Sequence, residues 1–479
     1  MSRGAKNGGH PSRTTSTRTG WIRKTKAMSS KPAAAQQSSP SLTTSTTAWN
    51  PTESGKTRAG NKKKSGLLSR LGPGLITGAS DDDPSGIATY TQAGSAFGVG
   101  LLWTTLFSYP LMGGIQEISA RIGLVTGCGL AGNLRRHSAR PWLYVVVGVL
   151  VVANTINVGA DIGAMAAALR LLVGGRFLIY VTAIGVLSAV VQVYVPYHSY
   201  VPYLKWLCLA LLAYVGIAFV VKIPWLDVAT STFLPRMQWS REGLTMVVAI
   251  FGTTISPYLF FWQASEEVEE QKIDPSEEPL KVAPEQSDCQ LGRMEFDTWL
   301  GMGASNLVAF SVILTAAVVF HARGVVDIST TSQAAEALRP IAGRFAHLLF
   351  SLGILGTGLL AVPVLAGSSA YALGDAMRWP TGLEKPPSSA PRFYLVIAMT
   401  MALGIAFNFL RFSPIKALFW AAVVNGFASP PIMITIMVLA NRRSVMGRFT
   451  LTRRLLVLGW TATGVMTAAA VVLLTMLRG

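Results

Sequence analysis

Gly72-Pro73-Gly74-Leu75-Ile76-Thr77-Gly78-Ala79-Ser80-Asp81-Asp82-Asp83-Pro84-Ser85-Gly86 lies inside an apolar stretch long enough to cross a bilayer, and it places three adjacent carboxylates where hydrocarbon is expected. Each ionised acid at a bilayer centre costs about 2.5–3.5 kcal/mol on insertion scales, so the cluster requires water, protein or a cation around it. Pro84 removes a backbone donor and clashes with the preceding turn, while Ser85 and Gly86 add little helix propensity. The helix is expected to break here. Freed carbonyls then point into a cavity and join a carboxylate as hard oxygen ligands for a metal ion.

A second stretch repeats the pattern: Ile250-Phe251-Gly252-Thr253-Thr254-Ile255-Ser256-Pro257 aligns with Ile76 to Pro84 when one residue is omitted. Interrupted helices at matching places in a first and a sixth span predict two inverted five-span repeats with a substrate between them near the midplane. Without unwinding, Asp81 and Asp82 would lie about 200° and 100° of helical rotation from Asp83, so the three carboxylates could not face one ion. Asp82 is the better candidate for a supporting or vestibule role.

Composition agrees with a membrane protein. Of 479 residues 51% are hydrophobic and 13% charged, too few charges to coat a soluble globule of that size. Apolar stretches recur at about 72–90, 99–120, 142–169, 177–195, 203–222, 244–263, 298–320, 345–374, 392–410, 416–440 and 454–477, which predicts eleven spans. The formal charge of +18 resides mostly in residues 1–66, where thirteen Lys or Arg stand against the single acid Glu53. That tail is expected to be a disordered basic segment, with residues 67–479 as the transporter domain; the charge is not spread over a face suited to nucleic acid.

The basic groups Arg121, Arg135, Arg136, Arg140 and Arg442, Arg443, Arg448, Arg453, Arg454 follow spans two and ten. This bias predicts a cytoplasmic N-terminus. The protein is expected in the plasma (inner) membrane, although the Arg-rich, Ser-rich, acid-poor tail also fits an organellar transit peptide. Residues 264–297, with eleven acids against three basic groups, read as a solvated loop. Cys128, Cys208 and Cys289 are too dispersed for a disulfide framework or thiolate metal site. His137, His198, His321 and His347 fall near span ends and receive no ligand role.

The run from Gly72 through Asp83-Pro84-Ser85-Gly86-Ile87-Ala88-Thr89 to Gln92-Ala93-Gly94 resembles the first helix of the Nramp divalent-metal transporters, and Gly252 to Tyr258 resembles their sixth. The resemblance covers about residues 67–440 and implies a LeuT-like fold, five plus five inverted helices, followed here by an eleventh. It implies that Asp83 binds metal and that the Thr253 carbonyl is a ligand. Gly86 stands where the family has a ligand Asn, Ser256 where it has a ligand Met, and Tyr258 and Gln263 where it has two His. Asn425 falls near a family Gln that reaches the ion.

Exchanging a soft thioether for a hydroxyl leaves a harder site, which weakens discrimination against magnesium. The missing side chain at Gly86 leaves room for water, which suits a cation that dehydrates reluctantly. These departures resemble the Nramp-related magnesium branch and imply Mg2+ and Mn2+ as cargo, with no cofactor. Asp161 matches an acid of the family's proton path, but Val158 replaces its acidic neighbour and residues 393–410 contain no Arg pair. Weak or absent proton coupling is implied.

Three alternatives stand beside this reading: a proton-coupled Mn2+ or Fe2+ transporter, a Na+-coupled carrier of an organic solute, and an intramembrane aspartyl protease. The last needs a second acid facing the first, for which Asp161 is the candidate. Neither a His-Glu-x-x-His run nor a phosphate-cradling Gly-Lys-Ser loop is present, so the sequence offers no other enzyme.

Overall fold

The computed structural model describes residues 72–195, 199, 211–236, 240–274, 276–410 and 412–478. The basic tail at 1–66, Cys208, His198 and the first part of the expected fifth span lie outside those residues. Numbering helices of eight residues or more, the chain forms α1 (Pro73–Asp81), α2 (Pro84–Phe97), α3 (Trp103–Thr126), α4 (Leu130–His137), α5 (Arg140–Val173), α6 (Phe177–Tyr194), α7 (Leu212–Val220) and α8 (Trp225–Phe233). Then follow α9 (Arg241–Thr254), α10 (Pro257–Ile273), α11 (Ser287–Val319), α12 (Ala346–Met377), α13 (Pro391–Phe407), α14 (Pro414–Asn441) and α15 (Arg453–Arg478). Among the described residues, eight helical segments are long and apolar enough to cross a membrane.

The two breaks share one construction. After α1, Asp82 (φ −79°, ψ 48°) and Asp83 (φ −67°, ψ 168°) leave the helix, and Pro84 opens α2. After α9, Ile255 (φ −117°, ψ 57°) and Ser256 (φ −77°, ψ 126°) do the same, and Pro257 opens α10. The residue before a proline is driven into the extended region, and proline is tolerated at the first helical position because no N–H is needed there. Each Pro therefore ends one half-helix and starts the next.

Packing exchanges the repeats: α1 and α2 lie on α11 of the second repeat, α10 lies on α3 of the first, and α5 lies on α12. This is the expected LeuT-like arrangement, all helical with discontinuous first and sixth spans, and α15 is the additional span, packed on α14 and α3. Glycines set the closest approaches. A Cβ on Gly78 would run into the Gly301 carbonyl of α11, and one on Gly252 into the Ala422 carbonyl of α14. Small residues let helix backbones meet where lipid supplies no hydrophobic drive between helices.

One expectation is overturned. Much of residues 264–297 is not loop: α10 continues to Ile273 and α11 begins at Ser287, and Glu266, Glu267 and Glu269 are buried. Arg293 of α11 meets Glu270 at 3.2 Å and Glu277 at 2.9 Å, so part of the acidic run is neutralised across the hairpin rather than by water alone. The charge run obscures a helix whose buried faces pack on α3 and α12.

Candidate ion-binding site at the paired helix breaks

Asp83 caps the second half of the first span. Its Oδ1 accepts the Gly86 N–H at 2.8 Å and the Ser85 hydroxyl at 2.6 Å, which fixes the carboxylate at the positive end of α2. From the opposite break, the Tyr258 hydroxyl donates to the Ser80 carbonyl at 2.9 Å and lies 3.4 Å from Asp83 Oδ2. Tyr258 thus ties the start of α10 to the end of α1. Asp83 is 1% exposed, so its carboxylate is shielded from solvent.

The unwound turn separates the three acids. Ser305 of α11 lies 2.6 Å from Asp81 Oδ2 and 3.1 Å from Asp82 Oδ1, so these two carboxylates turn toward α11 and share one hydroxyl proton. Among the described residues no three His, Cys, Asp or Glu side chains form a metal-holding group. A cation here would meet one principal carboxylate and neutral oxygens.

Those oxygens come mainly from the other break. The Ser256 hydroxyl donates toward the Thr253 carbonyl at 2.8 Å and the Gly252 carbonyl at 3.0 Å, so its oxygen keeps its lone pairs as acceptors. The expected ligand carbonyl of Thr253 therefore already accepts a hydrogen bond, with its second lone pair remaining. Ser429 donates toward the Ile255 and Asn425 carbonyls at 3.0 and 2.8 Å. The side chain of Asn425 is fully buried and neither amide atom has a hydrogen-bond partner.

Gly86 presents an N–H to Asp83 rather than an oxygen to an ion. Nor is the space beside it open for water as expected: a Cβ there would lie 3.2 Å from Thr253 Oγ1 and 3.3 Å from the Tyr90 ring. Gln263 is a brace between helices, accepting from Gln116 of α3 at 2.6 Å and donating to Thr298 of α11 at 2.7 Å. Asp161 of α5 is fully buried, has no hydrogen-bond partner and lies within electrostatic reach of Asp83. Asn157, one turn earlier on α5, is equally buried with both amide atoms unpartnered. Asn154 instead braces α5 to Leu365, Ser368 and Ser369 of α12.

Sequence reasoning does not identify Ser305, which sits in the small-residue run Gly301-Met302-Gly303-Ala304-Ser305. A polar residue ending such a run inside a span was the available signal. Asp297 of α11, which accepts the Gly74 and Leu75 N–H groups of α1, carries no local signal.

The family model described as natural resistance-associated macrophage protein-like (Nramp) matches residues 74–476. A divalent metal cation transporter MntH of Deinococcus radiodurans is 26% identical over 407 residues, covering 82% of this chain and 86% of the relative. The MntH of Klebsiella pneumoniae strain 342 is 25% identical over 416 residues, covering 85% and 93%. Among solved structures, the Eremococcus coleocola manganese transporter in complex with an aromatic bis-isothiourea substituted compound superposes with a TM-score of 0.68 at 19% identity, over 87% of this chain and 88% of that one. Mhp1, a nucleobase-cation-symport-1 family transporter, superposes in a closed conformation with a TM-score of 0.51 at 16% identity, over 85% and 93%. At those identities the structures show a common fold, and the match over residues 74–476 shows that the chain belongs to the Nramp family.

Proposed function

We propose that the chain imports divalent metal ions, Mg2+ and also Mn2+, by alternating access, with Asp83 as the principal charge and little or no proton coupling. It is a transporter rather than an enzyme. The observation that carries the reading is a buried carboxylate at the first helix break, held by the Ser85 hydroxyl and the Gly86 N–H and reached from the second break by the Tyr258 phenol. Ser256, Thr253 and Asn425 offer only hard donors, and the position after Pro257 is a phenol rather than an imidazole. Such a donor set suits a cation that prefers oxygen and keeps part of its water.

Asp82 shares the Ser305 hydroxyl with Asp81 beside the site, while Tyr258 ties α10 to the end of α1 and Gln263 braces α10 to α3 and α11. The relatives named for divalent metal cations support the cargo class. The orientation we favour puts the N-terminus, with its basic tail, in the cytoplasm of a cell bounded by this plasma membrane.

Purified protein in proteoliposomes is expected to take up Mn2+, with Mg2+ competing, and Asp83→Ala is expected to abolish both fluxes. Mn2+ uptake that ignores a large excess of Mg2+ removes the magnesium assignment. A proton-coupled Mn2+ or Fe2+ carrier is the second reading, favoured by the unpartnered Asp161 near Asp83. A pH gradient that drives uptake selects it.

A further inference from the structure

The space that Gly86 leaves beside Asp83 is filled from across the site by one particular atom. Asp83 Oδ1 holds the Gly86 N–H at 2.8 Å, and the direction in which a Gly86 side chain would project meets Thr253 Oγ1 at 3.2 Å. The Asp83 carboxylate and the Thr253 hydroxyl therefore flank the same glycine, one from each broken span. Thr253 is 1% exposed and its hydroxyl makes no well-formed hydrogen bond, although Tyr90 lies close by with an equally unsatisfied phenol. Thr89 of α2 is the other buried threonine of these half-helices left in this state. Thr77, Thr91 and Thr254 in the neighbouring half-helices all return their hydroxyl protons to a carbonyl one turn back. A buried hydroxyl left without a partner is destabilising, and a ligand that accepts its lone pair restores the loss.

We propose that the Thr253 side-chain hydroxyl is itself a specificity-determining ligand, presenting its lone pair to the divalent ion held by Asp83 in the place a longer side chain at Gly86 would otherwise occupy. This rests on the transport reading above and goes beyond it, because the main-chain carbonyl of Thr253 is already engaged by Ser256 while the side-chain hydroxyl has only the neighbouring Tyr90 phenol. A hydroxyl is a hard, neutral donor that adds no charge to the site. It binds an ion while leaving water in the remaining positions.

The test is Mn2+ uptake in proteoliposomes, with Mg2+ as competitor, for Thr253→Val, Thr253→Ser, Tyr90→Phe and Asp83→Ala, each checked for a monodisperse fold. Val keeps the shape and deletes the oxygen, and it is expected to raise KM on the order of tenfold with little change in maximal rate. Ser is expected to stay within about threefold of wild type. The double variant Gly86→Ser/Thr253→Ala moves the hydroxyl to the facing helix and is expected to recover most of the affinity that Thr253→Ala loses. It also serves where the Val variant does not fold.

Equal KM for the Val, Ser and wild-type proteins, with Asp83→Ala inactive, overturns the proposal and leaves the site reading standing. A Tyr90→Phe variant that reproduces the Val defect also overturns it, since the hydroxyl would then act only through the phenol. Full activity of Asp83→Ala brings down the site reading and this inference together.

Discussion

Asp297 of α11 accepts the Gly74 N–H at 2.6 Å and the Leu75 N–H at 3.2 Å, so a carboxylate more than two hundred residues away in sequence caps the first turn of α1. Gly72, the local cap position, has no side chain to do this. A nine-residue helix is too short to hold itself together by propensity, and its first N–H groups need partners. Asp297 supplies two of them with a charge that complements the helix dipole.

Asp297→Ala is therefore expected to loosen α1 against α11 without touching the break itself. Loss of a charge-assisted cap costs about 1–3 kcal/mol. A cysteine introduced at the buried Thr77, in a background lacking the native cysteines, should react faster with a water-soluble thiol reagent in the Ala variant. Asp297→Asn, which keeps one acceptor, should fall between. Equal labelling rates would mean that the glycine contacts alone hold α1 closed.

Those contacts give the second prediction. Gly78 and Gly301 bring α1 and α11 backbone to backbone, and a Cβ on Gly78 collides with a carbonyl that no rotamer change can move aside. Gly78→Ala should lower the thermal midpoint of the detergent-solubilised protein, corresponding to about 1–3 kcal/mol of overpacking. Gly464→Ala, where a Cβ meets nothing within 4 Å, is the control and should leave the midpoint unchanged.

Tyr258 spans the two breaks through Ser80 and Asp83, and Tyr258→Phe deletes that tie while keeping the ring. The variant should fold, since the ring is packed with 0% exposure, but its Mn2+ uptake rate should fall several-fold. The short bond to the neutral Ser80 carbonyl contributes about 0.5–1.5 kcal/mol, enough to change how the half-helices hold each other. Initial-rate measurements that show Phe equal to Tyr would restrict Tyr258 to packing.

How far the sequence reveals these features depends on range. Pro84 and Pro257 fix the breaks because proline acts on its immediate neighbours, and the matched spacing therefore exposes the repeat. Asp83 is legible for the same reason, being the residue that proline forces out of the helix. The fates of Asp81 and Asp82 are not, because an unwound turn erases helical phase and only Ser305 of α11 determines where they point. Asp297 and the Thr253 hydroxyl are invisible for a related reason: each acts on a segment remote in sequence, and no local pattern encodes that meeting. The acidic run misleads because Glu266, Glu267 and Glu269 look solvated by composition, although α10 carries them into the bundle.

Asp161 yields the last prediction. It is fully buried, has no hydrogen-bond partner and lies within electrostatic reach of Asp83, so its charge calls for a proton or a cation. In the uncoupled reading its charge only deepens the potential that draws the ion toward Asp83. Asp161→Asn should then reduce Mn2+ uptake at every pH by a similar factor, and neither protein should respond to an imposed pH gradient. Proton coupling through this carboxyl requires a different outcome: wild-type uptake driven by an inward proton gradient, and loss of that response in the Asn variant. Uptake recorded at fixed membrane potential, with and without the gradient, separates the two, because the potential acts on the ion's charge in either case while the gradient acts only on a carried proton.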